Sequence, residues 1–124
     1  MIRVGIIGYG YWGPNLVRNF MEALGSTVIA MSDLRPERLA QVQARYSGIK
    51  TTSDHRELLD DPAIDAIAIA TPVSSHFDLA MQALKSDKHV LVEKPLASTS
   101  EQSIQLIEEA AKRSCVLMVD HTFD

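Results

Sequence analysis

The sequence has a single cysteine, no long hydrophobic run and no excess of positive charge. One cysteine among 124 residues excludes a disulfide framework and a metal site built from several cysteines, and it fits a reducing compartment such as the cytoplasm. No apolar stretch approaches the roughly 18–20 residues that span a membrane, and we see no secretory leader before the first predicted strand. The formal net charge of -4 offers no basic patch for nucleic acid. These absences predict a soluble cytoplasmic protein without nucleic-acid or membrane partners.

What the sequence does contain is a repeated alternation of strand and helix patterns. Short β-branched runs, apolar on both faces, are typical of buried parallel strands; they fall at 3–7, 27–32, 66–70, 89–92 and 116–119, with a weaker extended piece at 49–52. Segments with helical spacing lie between them, and in the last one we expect Ile104, Ile107 and Ala111 to form the buried stripe. The alternation predicts one α/β domain over residues 1–124, a Rossmann doubly wound sheet of six parallel strands with order 3-2-1-4-5-6 and helices on both faces.

A glycine-rich turn, Gly8-x-Gly10-x-x-Gly13, joins the first predicted strand to the first helix. Gly8 would allow the tight turn, Gly10 would let the backbone approach a pyrophosphate, and Gly13 would let the helix pack close to the strand. The N–H groups around Tyr11 and Trp12, with the helix dipole, would then hold the phosphates. An ordinary strand-to-helix turn is the alternative, but the position between an apolar strand and an amphipathic helix favours a dinucleotide site.

An acidic residue ends the second predicted strand. Asp33 follows Gly13 by 20 residues, which is the place of the carboxylate that accepts hydrogen bonds from an adenosine ribose. A carboxylate there repels a 2′-phosphate, so the sequence predicts NAD rather than NADP. Arg35 weakens this preference, because a nearby arginine accommodates a 2′-phosphate and keeps NADP as the alternative. Asp33 could also be a turn residue before Pro36.

The fourth predicted strand should supply the opposite wall of the crevice. In a sheet of this order the crevice opens between the first and fourth strands at their carboxyl ends, so Thr71 and Pro72 should face the glycine turn where the nicotinamide half would lie. His76 follows in the first turn of the next helix. Its position makes it a candidate for contact with the cofactor, although a packed or surface histidine is an equal alternative.

The fifth predicted strand ends in Glu93-Lys94-Pro95. Near a nicotinamide, the ammonium group of Lys94 can serve as general acid or base for the interconversion of an alcohol and a carbonyl. Both faces of the preceding strand look covered, which argues against an ordinary solvated lysine; a turn with a surface lysine is the alternative. Glu93 would orient a cofactor group, and the Lys94–Pro95 bond is a candidate for a cis peptide. No histidine has a spacing to other ligand types that suggests a metal site.

Three elements in this order resemble the Gfo/Idh/MocA family of oxidoreductases: residues 6–13, residues 70–72 with His76, and residues 92–97. Members of that family use NAD(P) and act mostly on sugars, cyclitols and nucleotide sugars. The resemblance implies that Lys94 is the catalytic lysine. It also implies a set of residues that line the cofactor, namely Gly8, Gly10, Tyr11, Trp12, Asp33, Thr71, Pro72, His76, Glu93 and Lys94.

Family members continue into a second α/β domain that supplies most of the substrate pocket and usually the subunit contacts. The resemblance therefore implies that residues 1–124 form the nucleotide-binding half of a dehydrogenase. Alone, this half is expected to bind dinucleotide with little turnover, while the complete enzyme would take a carbohydrate-type substrate and could be a homo-oligomer. Two alternatives stay open: a stand-alone NAD(P)-binding sensor or partner-binding module without catalysis, and a methyltransferase that uses S-adenosylmethionine.

Overall fold

The computed structural model describes residues 1–9, 13–23 and 25–120. Within these ranges the strands are β1 (Ile2–Ile7), β2 (Ser26–Ser32), β3 (Lys50–Thr52), β4 (Ala66–Ile69), β5 (His89–Glu93) and β6 (Leu117–Asp120). The α-helices are α1 (Gly13–Glu22), α2 (Pro36–Arg45), α3 (Arg56–Leu59), α4 (His76–Lys85) and α5 (Ser100–Lys112), and a short 3₁₀ turn at Val73–Ser75 precedes α4. No helix in these ranges is both long enough and apolar enough to cross a membrane.

The six strands form one parallel sheet with the order β3-β2-β1-β4-β5-β6, which confirms the predicted fold class. The register sets Ile7 of β1 opposite Ser32 of β2 and Ile69 of β4, and Ile69 in turn opposite Val92 of β5. The carboxyl ends of these four strands are therefore level, and the loops that follow them meet at one edge of the sheet.

Helices cover both faces of the sheet. Successive strand residues point to opposite faces, so the strands present apolar side chains to helices on each side. One face packs against α3, α4 and α5, with a core that includes Ile67, Ile69, Val90, Val92, Leu84 and Leu106. The other packs against α1 and α2, with a core that includes Val4, Ile6, Val28, Met31, Val17 and Val42. Full burial of such a side chain contributes about 1.5–3 kcal/mol, so the two apolar faces hold the strands in register.

The predicted buried stripe of α5 was wrong. Ile104 and Ile107 are 54% and 57% exposed, whereas Leu106 is fully buried and Ala110 is 5% exposed. The helix carries apolar residues on two sides, and periodicity alone does not choose between them. Packing chooses Leu106 and the small Ala110, one turn apart on the side that faces the core.

Candidate functional site

The turn after β1 requires glycine at position 8. Gly8 has a φ of +94°, and a Cβ atom placed on it would lie 2.7 Å from Cγ2 of Thr71 and 3.0 Å from the carbonyl carbon of Ala70. Its N–H donates to the carbonyl of Ser32 at 2.7 Å. The ends of β1, β2 and β4 therefore converge at one residue that has room for no side chain.

Close packing also explains the glycine at the start of α1. A Cβ atom on Gly13 would lie 2.9 Å from Cδ1 of the buried Tyr9 ring. Gly13 therefore lets the helix pack against the turn that follows β1, whereas the expectation was close packing against the strand itself. The predicted phosphate contacts of Gly10, Tyr11 and Trp12 lie outside the described residues, and they stay predictions.

Asp33 is held at the carboxyl end of β2 by two backbone groups. Its side chain is 4% exposed, and it accepts hydrogen bonds from the N–H of Tyr9 at 2.7 Å and from the N–H of Arg35 at 2.8 Å. Burial would raise the pKa of this carboxyl, but the hydrogen bonds from Arg35 and Tyr9 outweigh burial and set the pKa below its usual value. Asp33 is therefore a fixed carboxylate at neutral pH.

The guanidinium of Arg35 forms a bidentate pair with the same carboxylate. Nε lies 3.0 Å from Oδ1 and Nη2 lies 3.0 Å from Oδ2 of Asp33. The arginine side chain is 45% exposed, so it caps the carboxylate on the solvent side. The two side chains together carry no net charge at the mouth of the site.

A cleft of about 860 Å³ opens where the loops after β1, β2, β3 and β4 meet. Its volume lies within the range of roughly 300–1,000 Å³ that small-molecule sites occupy, and its walls combine apolar surface with a few polar groups, as in such sites. The lining includes Gly8, Asp33, Arg35, Thr71, Pro72 and Leu79. Among the described residues, the structure thus brings four of the predicted site residues into one cleft and places Gly13, His76, Glu93 and Lys94 outside its lining.

His76 is buried between the turns that follow β4 and β5. The residue is 2% exposed, with Nε2 2.9 Å from the carbonyl oxygen of Thr71 and Nδ1 2.9 Å from the carbonyl oxygen of Pro95. The imidazole therefore lies between the two turns, and its tautomer decides which of the two carbonyls receives its N–H. Contact between His76 and a cofactor stays a prediction, and the burial of the residue agrees with the packed histidine that the sequence left as the alternative.

Lys94 lies one residue beyond β5, next to the aligned end of β4. Its side chain is exposed and that of Glu93 is half-buried, and the Lys94–Pro95 peptide, a candidate for the cis form, is cis. The expectation that β5 is covered on both faces holds for one face only: Val92 is fully buried, whereas Leu91 is half-buried. The catalytic role of Lys94 and the orienting role of Glu93 stay predictions.

Two contributors to the site were missed by the sequence analysis. Tyr9 acts through its backbone N–H, which has no residue-type signal, and Ser75 donates its hydroxyl to Oγ1 of Thr71 at 2.6 Å or to the carbonyl of Pro72 at 2.7 Å. A serine four residues after a threonine at a strand end is a common surface pattern. Only the short turn before α4 makes it a support for the cleft wall.

Domains with this strand order bind nucleotides in the crevice outside the carboxyl ends of β1 and β4, where this chain has its cleft, glycine turn and buried acid. The chain is thus a nucleotide-binding domain of the Rossmann class. Sequence comparison narrows the class, because residues 2–121 match the Gfo/Idh/MocA model, described as an oxidoreductase family with an NAD-binding Rossmann fold. The chain belongs to this family, and a nicotinamide dinucleotide is its cofactor class.

Known relatives agree with this assignment. Myo-inositol 2-dehydrogenase of Thermotoga maritima is 31% identical over 116 residues, which are 94% of this chain and 35% of that protein. Biliverdin reductase from Synechocystis, solved with biliverdin and NADP+, matches with a TM-score of 0.91 at 30% identity over 97% of this chain and 38% of that one. A 3-ketoreductase from Actinomadura kijaniata, solved with TDP-benzene and NADP, matches with a TM-score of 0.88 at 28% identity over 96% and 38%. The chain spans about a third of the length of such relatives.

Proposed function

We propose that the chain is the dinucleotide-binding part of an oxidoreductase that transfers a hydride between NAD(P) and a hydroxyl carbon of a sugar, cyclitol or nucleotide sugar. The observation that carries the proposal is the single cleft shared by Gly8, Asp33 and Thr71. The similarity to a myo-inositol 2-dehydrogenase supports a polyol or sugar substrate. The similarity to reductases of other compounds shows why the substrate has to be tested directly.

Each wall of the cleft has a separate task in this proposal. The bare backbone at Gly8 leaves room for the pyrophosphate, and Asp33 accepts hydrogen bonds from the adenosine ribose. Thr71 and Pro72 line the side where the nicotinamide half would lie. When bound, the dinucleotide supplies or accepts the hydride, and the protein contributes binding and orientation.

Lys94 is the proposed proton donor and acceptor at the substrate oxygen, through its Nζ atom. Its place beyond β5 is level with Thr71, because Ile69 and Val92 are register partners. His76 would position it indirectly, since the ring holds the carbonyl of Pro95, the next residue. Glu93 would orient a group of the cofactor from the same turn.

For the dinucleotide we propose NAD, with NADP as the alternative. The carboxylate of Asp33 favours an unphosphorylated ribose, because a 2′-phosphate beside it would be repelled. NADP is present in two of the related structures, and this supports NADP as the alternative.

The coverage of about a third of each relative leads us to place the substrate pocket, and any homo-oligomer contacts, in residues beyond these 124. The chain alone would then bind dinucleotide with little turnover, because hydride transfer needs a held partner as well as a cofactor. The cytoplasm is the proposed location, because these 124 residues contain one cysteine.

The test measures dinucleotide binding by the chain itself. Thermal unfolding and calorimetry in the presence of NAD+ and NADH are the readouts. Both ligands should raise Tm, and Asp33→Ala should remove most of the shift. The control variant Asp65→Ala removes an exposed carboxylate that pairs with Arg3 before β4, at the opposite edge of the sheet, and it should leave the shift unchanged. Lys94→Ala should leave the NAD+ affinity within about twofold and, in an enzyme that carries this domain, lower kcat far more than it changes KM. Absence of any shift at millimolar dinucleotide, or a shift produced by S-adenosylmethionine instead, would contradict the proposal.

A further inference from the structure

The two edge strands of the sheet, β3 and β6, differ in composition. β3 begins with the exposed Lys50 and continues with two threonines. A lysine on an edge strand is a common device that keeps the strand from pairing with another chain. β6 begins instead with the apolar residues Leu117, Met118 and Val119, and within the described ranges it pairs with β5 alone. Among those residues the β6 edge is therefore open to a further strand.

The backbone of β6 has hydrogen-bonding groups that point away from the sheet. Both groups of Val116 point towards β5, because its N–H donates to Nδ1 of His89 at 2.9 Å and its carbonyl accepts from the N–H of Val90 at 2.9 Å. The backbone groups of successive strand residues point to alternate sides. Those of Leu117 and Val119 therefore point outward, where a second strand could pair with them.

Apolar side chains flank the β6 edge on both faces of the sheet. Alternate residues of β6 pack under α5, so Val116 and Met118 point to the other face. There they are 55% and 57% exposed, because α1 and α2 pack against β1, β2 and β3. On the face of α5, Ile104 and Ile107 are also more than half exposed. Single apolar side chains on a surface are ordinary, but four of them around one open edge are typical of an interaction surface.

The two isoleucines lie on the flank of α5 that faces away from α4. Arg113 fixes the opposite flank, because it donates to Oε2 of Glu109 and to the carbonyl of Lys85 at the end of α4. At about 100° per residue, Ile104 and Ile107 lie roughly 140–160° around the helix from Glu109. α4 precedes β5 and α5 precedes β6 on the same face of the sheet, so the flank with the isoleucines lies on the side of the β6 edge.

The exposed stripe of α5 is self-complementary for an antiparallel copy of the helix. It consists of Ser100, Ile104, Ile107 and Ala111, at spacings of four, three and four residues. The spacings and the side-chain sizes are thus the same in both directions. Two antiparallel copies set Ile104 against Ile107 at the centre and Ser100 against Ala111 at each end. A different partner helix would not require this symmetry, so the pattern favours a second copy of the chain.

The open strand fits the same two-fold symmetry. Antiparallel strands bond through residue pairs that exchange both backbone hydrogen bonds, and Leu117 and Val119 have the outward groups. Leu117 of one copy pairs with Val119 of the other when the two-fold axis passes close to Met118. Because α5 leads back along the domain before β6, the two elements are antiparallel, and one axis normal to the sheet reverses both together.

We propose that β6 and α5 form a docking surface for a second copy of this chain, with a two-fold axis normal to the sheet near Met118. The β6 strands join the two sheets, the two copies of α5 pack on one face, and Val116 and Met118 are covered on the other. The cleft lining comes from residues between 7 and 79, so the inference goes beyond the proposed function and does not depend on it. The surface is also separate from the homo-oligomer contacts that we place beyond these 124 residues.

The size of the surface predicts a weak and reversible dimer. α5 has 13 residues and is about 20 Å long at roughly 1.5 Å per residue. A contact of this length, over one helix and one strand edge, buries on the order of 1,000 Å² in total, which is at the low end for specific interfaces. Charge supports the antiparallel arrangement, because the helix dipoles oppose each other and the first turn, with Glu101, lies beside the last turn of the second copy, with Lys112.

Sedimentation velocity with the chain at about 5 µM to about 500 µM tests the association. The wild-type chain should change from monomer to dimer over this range, with or without dinucleotide. Met118→Lys sets two ammonium groups against each other at the axis, and Ile107→Glu places a charge in the helix contact, so each should raise the Kd of the dimer at least about tenfold. Ile2→Glu is the matched control and should leave the Kd unchanged, because Ile2 is 52% exposed on β1, which β4 and β5 separate from β6.

Cysteine cross-linking in a Cys115→Ser background tests the position of the axis. The Cα atoms of Met118 in the two copies should lie about 4.5 Å apart, so Met118→Cys should form a disulfide with its own copy on mild oxidation. Val116→Cys is the matched control. Its two copies would be about 13 Å apart along the strands, beyond the limit of about 7 Å, and they should not cross-link.

The outcomes separate this inference from the proposed function. A wild-type chain that stays monomeric, variants that dimerise as tightly as wild type, or cross-linking at position 116 in place of 118 would each overturn the inference. A species larger than a dimer would also overturn it, because a two-fold contact closes. Far-UV circular dichroism checks that each variant is folded, and Ile107→Glu, on an exposed helix position, keeps the test valid if Met118→Lys disturbs the strand. Dinucleotide binding is measured separately, so either proposal can fail without the other.

Discussion

Two aspartate–arginine pairs in this molecule have the same local geometry and different surroundings. Arg35 pairs with Asp33 through its N–H, Nε and Nη2 at 2.8, 3.0 and 3.0 Å, and Arg56 pairs with Asp54 through the same atoms at 3.0, 3.1 and 3.2 Å. The carboxylate is 4% exposed in the first pair and 38% exposed in the second. An Asp-x-Arg run before a helix forms this bidentate pair in both places. The exposure of the carboxylate is what differs between the two pairs.

The difference lies in what surrounds each carboxylate. Asp33 ends a strand beside the glycine turn, and it receives a fourth hydrogen bond from Tyr9 across the sheet edge. Asp54 precedes the four-residue helix α3 and faces solvent, where water competes for its oxygens. Asp33 and Arg35 thus line the cleft with a buried carboxylate, whereas the carboxylate of Asp54 is exposed and only its neighbours Ser53 and His55 line the cleft.

Removal of each carboxylate should produce the largest difference between the two pairs. Asp33→Ala leaves the N–H of Tyr9 without its acceptor in a buried setting, which should lower the free energy of unfolding by about 1–3 kcal/mol. Asp54→Ala should lower it much less, because water replaces the lost contacts. Urea denaturation of the two variants without ligand measures both effects. Equal losses would show that burial does not distinguish the pairs.

The pH dependence of the free energy of unfolding should show an effect of intermediate size at Asp33. The pKa of Asp33 is lowered in the folded chain because the hydrogen bonds from Arg35 and Tyr9 outweigh burial. A lowered folded pKa means that the stabilisation is present above the unfolded value of about 3.9 and is lost as the pH falls through the folded value. The stability gap between wild type and Asp33→Asn should thus be constant near pH 7 and shrink below about pH 4. A gap that does not change down to pH 2 would contradict this reading.

Salt should have the smallest effect on stability. It should weaken the contribution of Arg56 more than that of Arg35. Arg56 is 74% exposed, so any stabilisation by its pair should vanish in about 1 M NaCl, where the screening length is roughly 3 Å. Arg35 contacts a buried carboxylate, and the loss of stability in Arg35→Ala should survive that salt concentration in part. Thermal unfolding of both variants at low and high salt checks this, and identical salt responses would argue against a protected Asp33.

The sheet and the location of the cleft could be predicted from the sequence because both depend on strong, local signals. Apolar β-branched runs gave strands close to their observed bounds, and the strand order followed from their alternation with helices. The turn at Gly8 was predictable because φ and close approach leave no other residue type. Signals of this kind need no knowledge of the packing of distant side chains.

Other features depend on packing and could not be predicted. The buried side of α5 was misassigned because the helix has apolar residues on two sides and only the neighbouring core selects Leu106. The full set of hydrogen bonds to Asp33 was missed because one of the donors is the backbone N–H of Tyr9, and a backbone group gives no signal in the residue type. The environment of His76 could not be chosen from the sequence, because the carbonyl that faces its Nδ1 belongs to Pro95, 19 residues away along the chain.

The buried ring of His76 also bears on protein engineering. One imidazole lies between the backbone carbonyls of Thr71 and Pro95. The positions of the two loops therefore depend on each other. A loop exchange with a relative that replaces either side alone would leave a ring nitrogen facing a carbonyl in the wrong place. Chimeras of this domain should therefore be cut so that both loops and the histidine come from the same parent.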